Sequence, residues 1–222
     1  MKQLTRIVLL ACAGMSMWGQ GLNGLYFMTR FSTVGGLERA TYRFQNGTVV
    51  RNPLGSDVQA ERAAHPNDVG TYQFQGGLLE VNVAGSDHKV RFEPADHGCF
   101  GWDAGIFCPV EVFKPGTTLD GSFEGGGSVG KVMASTMITF KRDGTYESGT
   151  VVSVSSVGKT TEVSGGSKTN EHGKYRIDGT AMHMTPDGGK ESVFSTFPWD
   201  DHTPGPAPRH VYFGGRMMNR LK

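Results

Sequence analysis

Residues 70–83 read GTYQFQGGLLEVNV, and residues 173–186 read GKYRIDGTAMHMTP. Both follow the pattern G-x-Tyr-x-(Phe/Ile)-x-Gly-x-x-(Leu/Met)-x-(Val/Met), at an offset of 103 positions. In the first, Tyr72 and Phe74 and then Leu79, Val81 and Val83 alternate with other residues; in the second, Tyr175, Ile177, Met182 and Met184 do the same. A period of two places such side chains on one face of a strand and sends their neighbours to the other. Each stretch therefore predicts two strands about a glycine turn, and the chain carries this unit twice.

The repetition extends upstream. Leu22-Asn23-Gly24-Leu25-Tyr26 matches Leu119-Asp120-Gly121-Ser122-Phe123, and Asn46-Gly47-Thr48 matches Asp143-Gly144-Thr145, both at an offset of 97. The change from 97 to 103 requires about six extra residues in the second copy. The Ser/Gly/Thr/Val-rich stretch 147–171 is read as the loop that holds them. Thr41–Phe44 and Thr48–Val50 predict a hairpin about Asn46-Gly47, and Ile138–Arg142 and Thr145–Glu147 predict another about Asp143-Gly144. Asn-Gly and Asp-Gly accept the positive φ angles that tight hairpin turns demand. Ala60–Ala64 predicts one short helical turn, stopped at His65-Pro66.

The chain thus divides into a first β repeat, 21–114, and a second, 117–222, joined near Lys114-Pro115-Gly116. Short strands with glycine turns throughout imply an all-β fold, an antiparallel barrel or sandwich built from two related halves, with little helix outside the N-terminal leader. Two readings stay open: one continuous barrel shared by both halves, or two small domains. The composition agrees, with 33 glycines and 13 phenylalanines in 222 residues. A net charge of +1 supplies no electrostatic reason to expect nucleic acid. No apolar run after residue 20 is long enough for a spanning helix.

The second half, with ITFKRDGTYESG, GKYRIDGTAMHM, PDGGKESVFSTF and a closing VYFGGRMMNR, resembles a secreted bacterial repeat family of lipocalin-like character. The shared pattern, TFxxDGxY, then GxYxxDG, then FGGR, consists of turns and strands. It implies a fold and carries over no catalytic residue. The first half matches loosely, without a Gly-Gly-Arg ending and with a cysteine pair in 98-GCFGWDAGIFC-108. That stretch reads as an embellishment of the first copy, with the Pro-rich segment 198–208 in the corresponding place of the second.

Residues 1–20 read as an export leader: Lys2 and Arg6 precede the apolar Ile7–Ala13, and small residues follow. The alternative is a first buried strand or helix of a cytosolic fold. Leu9-Leu10-Ala11-Cys12 also resembles a lipobox, which makes a lipid anchor at Cys12 a variant of the export reading. The expected location is periplasmic, envelope-associated or extracellular. Removal or lipidation of Cys12 leaves Cys99 and Cys108, and a lone pair in an exported chain reads as a disulfide. A zinc site combining Asp96, His97, Cys99 and Cys108 lacks the spacing of structural zinc.

No motif specifies an activity, so no catalytic residue, metal site or cofactor is expected. Asp87-His88, Asp96-His97 and Asp201-His202 read as polar surface, and His183 is expected to face away from Met182 and Met184. Gly125–Gly130 followed by Lys131 lacks the Ser or Thr of a phosphate loop and reads as a flexible loop. Asp120, Glu124, Asp200 and Asp201 are the carboxylates from which a hydrolase could be built. The leading expectation is an exported, non-enzymatic protein that binds a small apolar or amphipathic ligand. Its binding candidates are Trp102, Trp199, Met182 and Met184, since aromatic and Met side chains suit an adaptable pocket. The alternative is an envelope or surface module that docks another protein.

Overall fold

The computed structural model describes residues 21–31, 36–129, 132–158, 161–199 and 207–222. The leader, Cys12, and Asp200 to Pro206 of the Pro-rich segment lie outside the described residues. The first half forms β1 (Gly24–Phe31), β2 (Leu37–Gln45), β3 (Thr48–Arg51), the helix α1 (Val58–Ala64), β4 (Val69–Gln75), β5 (Leu78–Val83), β6 (Ser86–Arg91), β7 (Glu93–Pro94), β8 (Phe100–Trp102) and β9 (Gly105–Pro109). The second forms β10 (Gly121–Val129), β11 (Val132–Phe140), β12 (Thr145–Gly158), β13 (Thr161–Asp178), β14 (Ala181–Pro186), β15 (Ser192–Pro198), β16 (His210–Phe213) and β17 (Arg216–Arg220). The fold is all-β and antiparallel, as expected, and α1 is capped by the Asp57 side chain.

Strands β10 to β17 close an eight-stranded barrel in chain order, with β17 returning to β10 through Phe123↔Arg220 and Glu124↔Asn219. The first half makes a nine-stranded sheet in the order β6-β5-β4-β3-β2-β1-β9-β8-β7. Its two edges, β6 and β7, are consecutive in the chain and separated by Phe92 alone. In the second half, β15 pairs with β14 through Ala181↔Ser195 to Met184↔Ser192, and with β16 through Thr196↔Phe213 to Pro198↔Val211. The β6–β7 pair does the same work, joining β5 on one side and β8 on the other. The first half is thus the same ring with one stave broken at Phe92, whose ring packs on Phe74 (4.8 Å) and Phe100 (4.9 Å). The strands of the two halves occupy separate sheets.

Each ring encloses its own apolar cluster. Tyr26, Met28, Tyr42, Phe44, Val49, Leu79, Val81, Phe100, Trp102 and Phe107 fill the first. Phe123, Ile138, Phe140, Tyr146, Tyr175, Met182, Met184 and Met218 belong to the second. The repeat persists in the hydrogen bonds. The Tyr72 hydroxyl donates to the Leu22 carbonyl, and its counterpart Tyr175 donates to the carbonyl of Leu119, the counterpart of Leu22 (2.9 Å).

Three expectations change. The stretch read as a loop, 147–171, belongs to one long hairpin, with β12 and β13 paired from Thr145↔Lys174 to Gly158↔Thr161. Thr, Val and Ser there are strand-compatible residues whose ladder overrides the loop signal of the accompanying glycines. Gly125 to Gly127 likewise lie inside β10; a Cβ on Gly125 would stand 2.2 Å from Met218 Sδ, so the glycine makes room for the returning strand. Third, the cysteine stretch is no embellishment. Trp102-Asp103-Ala104-Gly105 is the closing turn of β8–β9, as Phe213-Gly214-Gly215-Arg216 is of β16–β17, and both central positions have positive φ in each (48° and 58°; 53° and 87°). Asp103-Ala104 take the left-handed conformation for which Gly-Gly is the easier choice, so the missing glycines concealed the match.

The two rings meet on their outer faces. Tyr26 and Met28 of β1 point into the first core, so Leu25 and Phe27 point out, where they form a buried cluster with Phe197 and Tyr212. Beside it, Thr41 Oγ1 lies 3.4 Å from Ser195 Oγ, and Arg43 Nη2 donates to Thr180 Oγ1 (2.9 Å).

Candidate functional site at the mouth of the first barrel

The inner faces of β1, β2 and β3 are apolar along most of their length and charged at one end. On β1 the inward row runs Tyr26, Met28, Arg30; on β2 it runs Phe44, Tyr42, Ala40, Glu38; on β3 it runs Val49, Arg51. The registers Arg30↔Glu38 and Tyr42↔Arg51 bring these ends together, and Arg30↔Gly105 sets them beside the closing turn. There Arg30, Arg51, His88 and Asp103 line a cavity of about 120 Å³ with Tyr42 and Trp102, and Glu38 stands behind the arginines. That is room for about four waters, at ~30 Å³ each.

Arg30 is well partnered, its Nε 2.7 Å from Glu38 Oε2 and its Nη1 3.0 Å from Asp103 Oδ2. The Glu38 hydrogen bond raises the Arg30 pKa further above its ordinary value. His88 Nδ1 lies 3.2 Å from the same Asp103 oxygen, with its ring 6.0 Å from that of Trp102. Arg51 is poorly partnered: Nη2 stands 3.8 Å from Glu38 Oε1, and Nε is buried with no hydrogen-bond partner among the described residues. Burial pushes the Tyr42 hydroxyl up, so it stays protonated and uncharged.

The second ring supplies an internal control. By offset and strand register, Arg30, Glu38, Arg51, His88 and Asp103 correspond to Gly127, Ala134, Ser148, Ser192 and Gly214. Five ionisable residues in one copy face five small uncharged ones in the other, and the second ring closes without them. Ring closure therefore does not account for the charged cluster.

Of the four binding candidates, Trp102 lines this cavity, its indole donating to the Leu79 carbonyl (2.9 Å). Trp199 stands outside the rings, 38% exposed, against Phe27 (ring centroids 4.9 Å) and Phe197 (6.0 Å). Met182 and Met184 are buried in the second core. Sequence reasoning passed over Arg30, Glu38, Arg51 and Asp103, and it read His88 as polar surface, where the structure sets it 3.2 Å from Asp103. The available signal was a charge at the end of three inward period-two rows, as in Phe44, Tyr42, Ala40, Glu38.

The other groups considered for chemistry stay apart. Asp120 pairs with Arg142 (2.9 Å) and Glu124 accepts from Ser135 Oγ (2.7 Å), so these carboxylates hold different partners. His183 turns away from the core toward Glu191 (3.0 Å). Among the described residues, no group of three or more His, Cys, Asp or Glu could hold a metal. No helix there is long and apolar enough to cross a membrane.

Cys99 and Cys108 form the expected disulfide. They flank the Phe100↔Phe107 pair, where the second ring has His210↔Asn219, and they border a cleft of about 350 Å³ with Pro109, Pro198 and Trp199. The bridge secures β9, which closes the first ring on β1. A Cys99→Ser/Cys108→Ser variant is expected to lose about 2–3 kcal/mol of first-ring stability, the loop-closure value for so short a ring. Urea unfolding followed by tryptophan fluorescence measures it, and an unchanged midpoint would show that strand pairing suffices. No protein-family model, curated protein or solved structure matches the chain.

Proposed function

We propose that the chain is an exported, non-enzymatic binding protein whose first ring takes a small ligand at its mouth. The observation that carries this reading is the five-residue charged cluster, present in one copy of the repeat and replaced throughout in the other. Charged side chains gathered at a barrel end without a role in closure are spared for recognition, since burying them has a desolvation cost. The interiors of both rings are packed with aromatic, Leu, Val and Met side chains, which favours a ligand held at the mouth over one threaded into a core. An amphipathic ligand then enters by its polar end, against Trp102 and Tyr42. The disulfide and the leader-like residues 1–20 support export, as does the resemblance to a secreted family.

Native mass spectrometry on protein purified from its own host tests this reading. A small adduct on the wild type that is lost in Arg51→Gln is the expected result. A bare wild-type spectrum, with a thermal midpoint unmoved by millimolar organic acids, sugars and phosphate, would overturn it.

A second observation favours docking of another protein as an alternative. Residues 161–172 of β13 pair with β12, and among the described residues no strand covers their other side, because β14 joins only from Gly173 onward. An uncovered edge of that length is a template for strand addition.

A further inference from the structure

The geometry points to a monocarboxylate as the ligand of the first-ring mouth, its two oxygens accepting from the Nε and Nη edge of Arg51. This rests on the binding reading above and specifies its ligand class. One oxygen of each acid is engaged: Glu38 Oε2 takes Arg30 Nε, and Asp103 Oδ2 faces both Arg30 Nη1 and His88 Nδ1. Among the described residues, the buried side-chain polar atom without a partner is a donor, Arg51 Nε. An unfilled buried donor carries a desolvation penalty, which an entering acceptor removes. A neighbouring pair of guanidinium N–H groups presents two parallel donors at the spacing of a carboxylate.

Charge then narrows the class. Arg30 draws on both carboxylates at hydrogen-bond distance, whereas Arg51 has Glu38 only at 3.8 Å. Two arginines face two carboxylates, so the cluster balances overall; the weakly compensated point is Arg51, where a monoanion adds the least excess charge. A phosphate dianion would bring a second charge beside Glu38 and Asp103, where like charges repel. A neutral amide could accept the hydrogen bonds but lacks the ionised acceptor that makes a guanidinium–carboxylate pair the stronger one. The cavity of about 120 Å³, with Val83, Trp102 and Phe107 in its walls, has room for a carboxylate and a few carbons.

The test follows two signals in the wild-type protein by ¹H–¹⁵N NMR: Arg51 Nε–H, identified by its absence from Arg51→Lys, and the Trp102 indole N–H. Acetate, butyrate, acetamide and inorganic phosphate are titrated separately at constant ionic strength. Acetate and butyrate are expected to move both signals saturably, with at least about tenfold tighter binding than acetamide or phosphate, the advantage of a charge-assisted bidentate contact. Arg51→Lys, which keeps the charge and loses the fork, is expected to weaken acetate binding by about tenfold. Equal binding of acetamide, or a preference for phosphate, overturns the carboxylate assignment while leaving the binding site in place. If none of the four compounds moves either signal, the assignment and the binding reading fall together.

Discussion

Replacing Gly70 or Gly173 by alanine is expected to destabilise its ring by about 3 kcal/mol or more, a large fraction of the ~5–15 kcal/mol that holds a small domain folded. The two glycines are counterparts, and both owe their identity to a strand crossing too close for a side chain. A Cβ on Gly70 would lie 1.8 Å from the Asn82 carbonyl oxygen, and one on Gly173 would lie 2.2 Å from that of Thr185, the counterpart of Asn82. These obstacles are backbone atoms in the paired strands β5 and β14, so no rotamer change relieves them. The strands must part, breaking the ladder around Thr71↔Asn82 or Lys174↔Thr185. Gly76 supplies the contrast. It has a positive φ of 61° but nothing within 4 Å of a Cβ, so alanine there costs only the left-handed conformation, about 1–2 kcal/mol. Thermal unfolding of the three variants checks the ranking, and similar losses at Gly70 and Gly76 would refute the steric account.

These glycines show what could be read before the structure. G-x-Tyr recurs in both copies because the glycine and the tyrosine serve the same closure, one admitting the neighbouring strand and the other bonding to Leu22 or Leu119. Local turn chemistry and period-two rows therefore exposed the repeat, the hairpins and the all-β class. The disulfide followed from the count of cysteines. Other features depend on partners distant in the chain. Gly125 reads as a flexible loop until Met218 occupies its missing side chain. Asp103-Ala104 reads as unrelated to Gly214-Gly215 until their φ angles coincide. The charged mouth is the extreme case, since Arg30 and Asp103 lie 73 positions apart and meet only through the β1–β9 closure. No window of local sequence contains both.

The second large effect is expected where the rings touch. Phe197→Ala should cost about 3–5 kcal/mol, the range for removing a buried phenylalanine. Phe197 is fully buried, stacked on Tyr212 at 4.6 Å and tilted against Phe27 at 5.5 Å. Phe27 also meets Tyr212 (5.1 Å) and Trp199 (4.9 Å) edge-on, so truncating either phenylalanine leaves a cavity that crosses from one ring to the other. Two rings with separate cores and separate sheets have this cluster as their main apolar reason to unfold together. In Phe197→Ala the single transition is therefore expected to split in two. Trp102, inside the first core, would report one phase by fluorescence, and amide exchange in β13–β14 the other. A Phe27→Ala/Phe197→Ala cycle should return a coupling of about 0.5–1.5 kcal/mol, the value for an aromatic pair beyond area burial. A single transition that merely shifts, or a coupling near zero, would mean that Thr41–Ser195 and Arg43–Thr180 hold the rings together instead. The outcome bears on the site as well. Phe27 and Met28 are adjacent on β1 and face opposite ways, so the strand carrying Arg30 into the mouth is anchored from outside by the second ring. On this account the second barrel, which lacks the charged cluster, shapes the first ring's mouth by holding β1 in register.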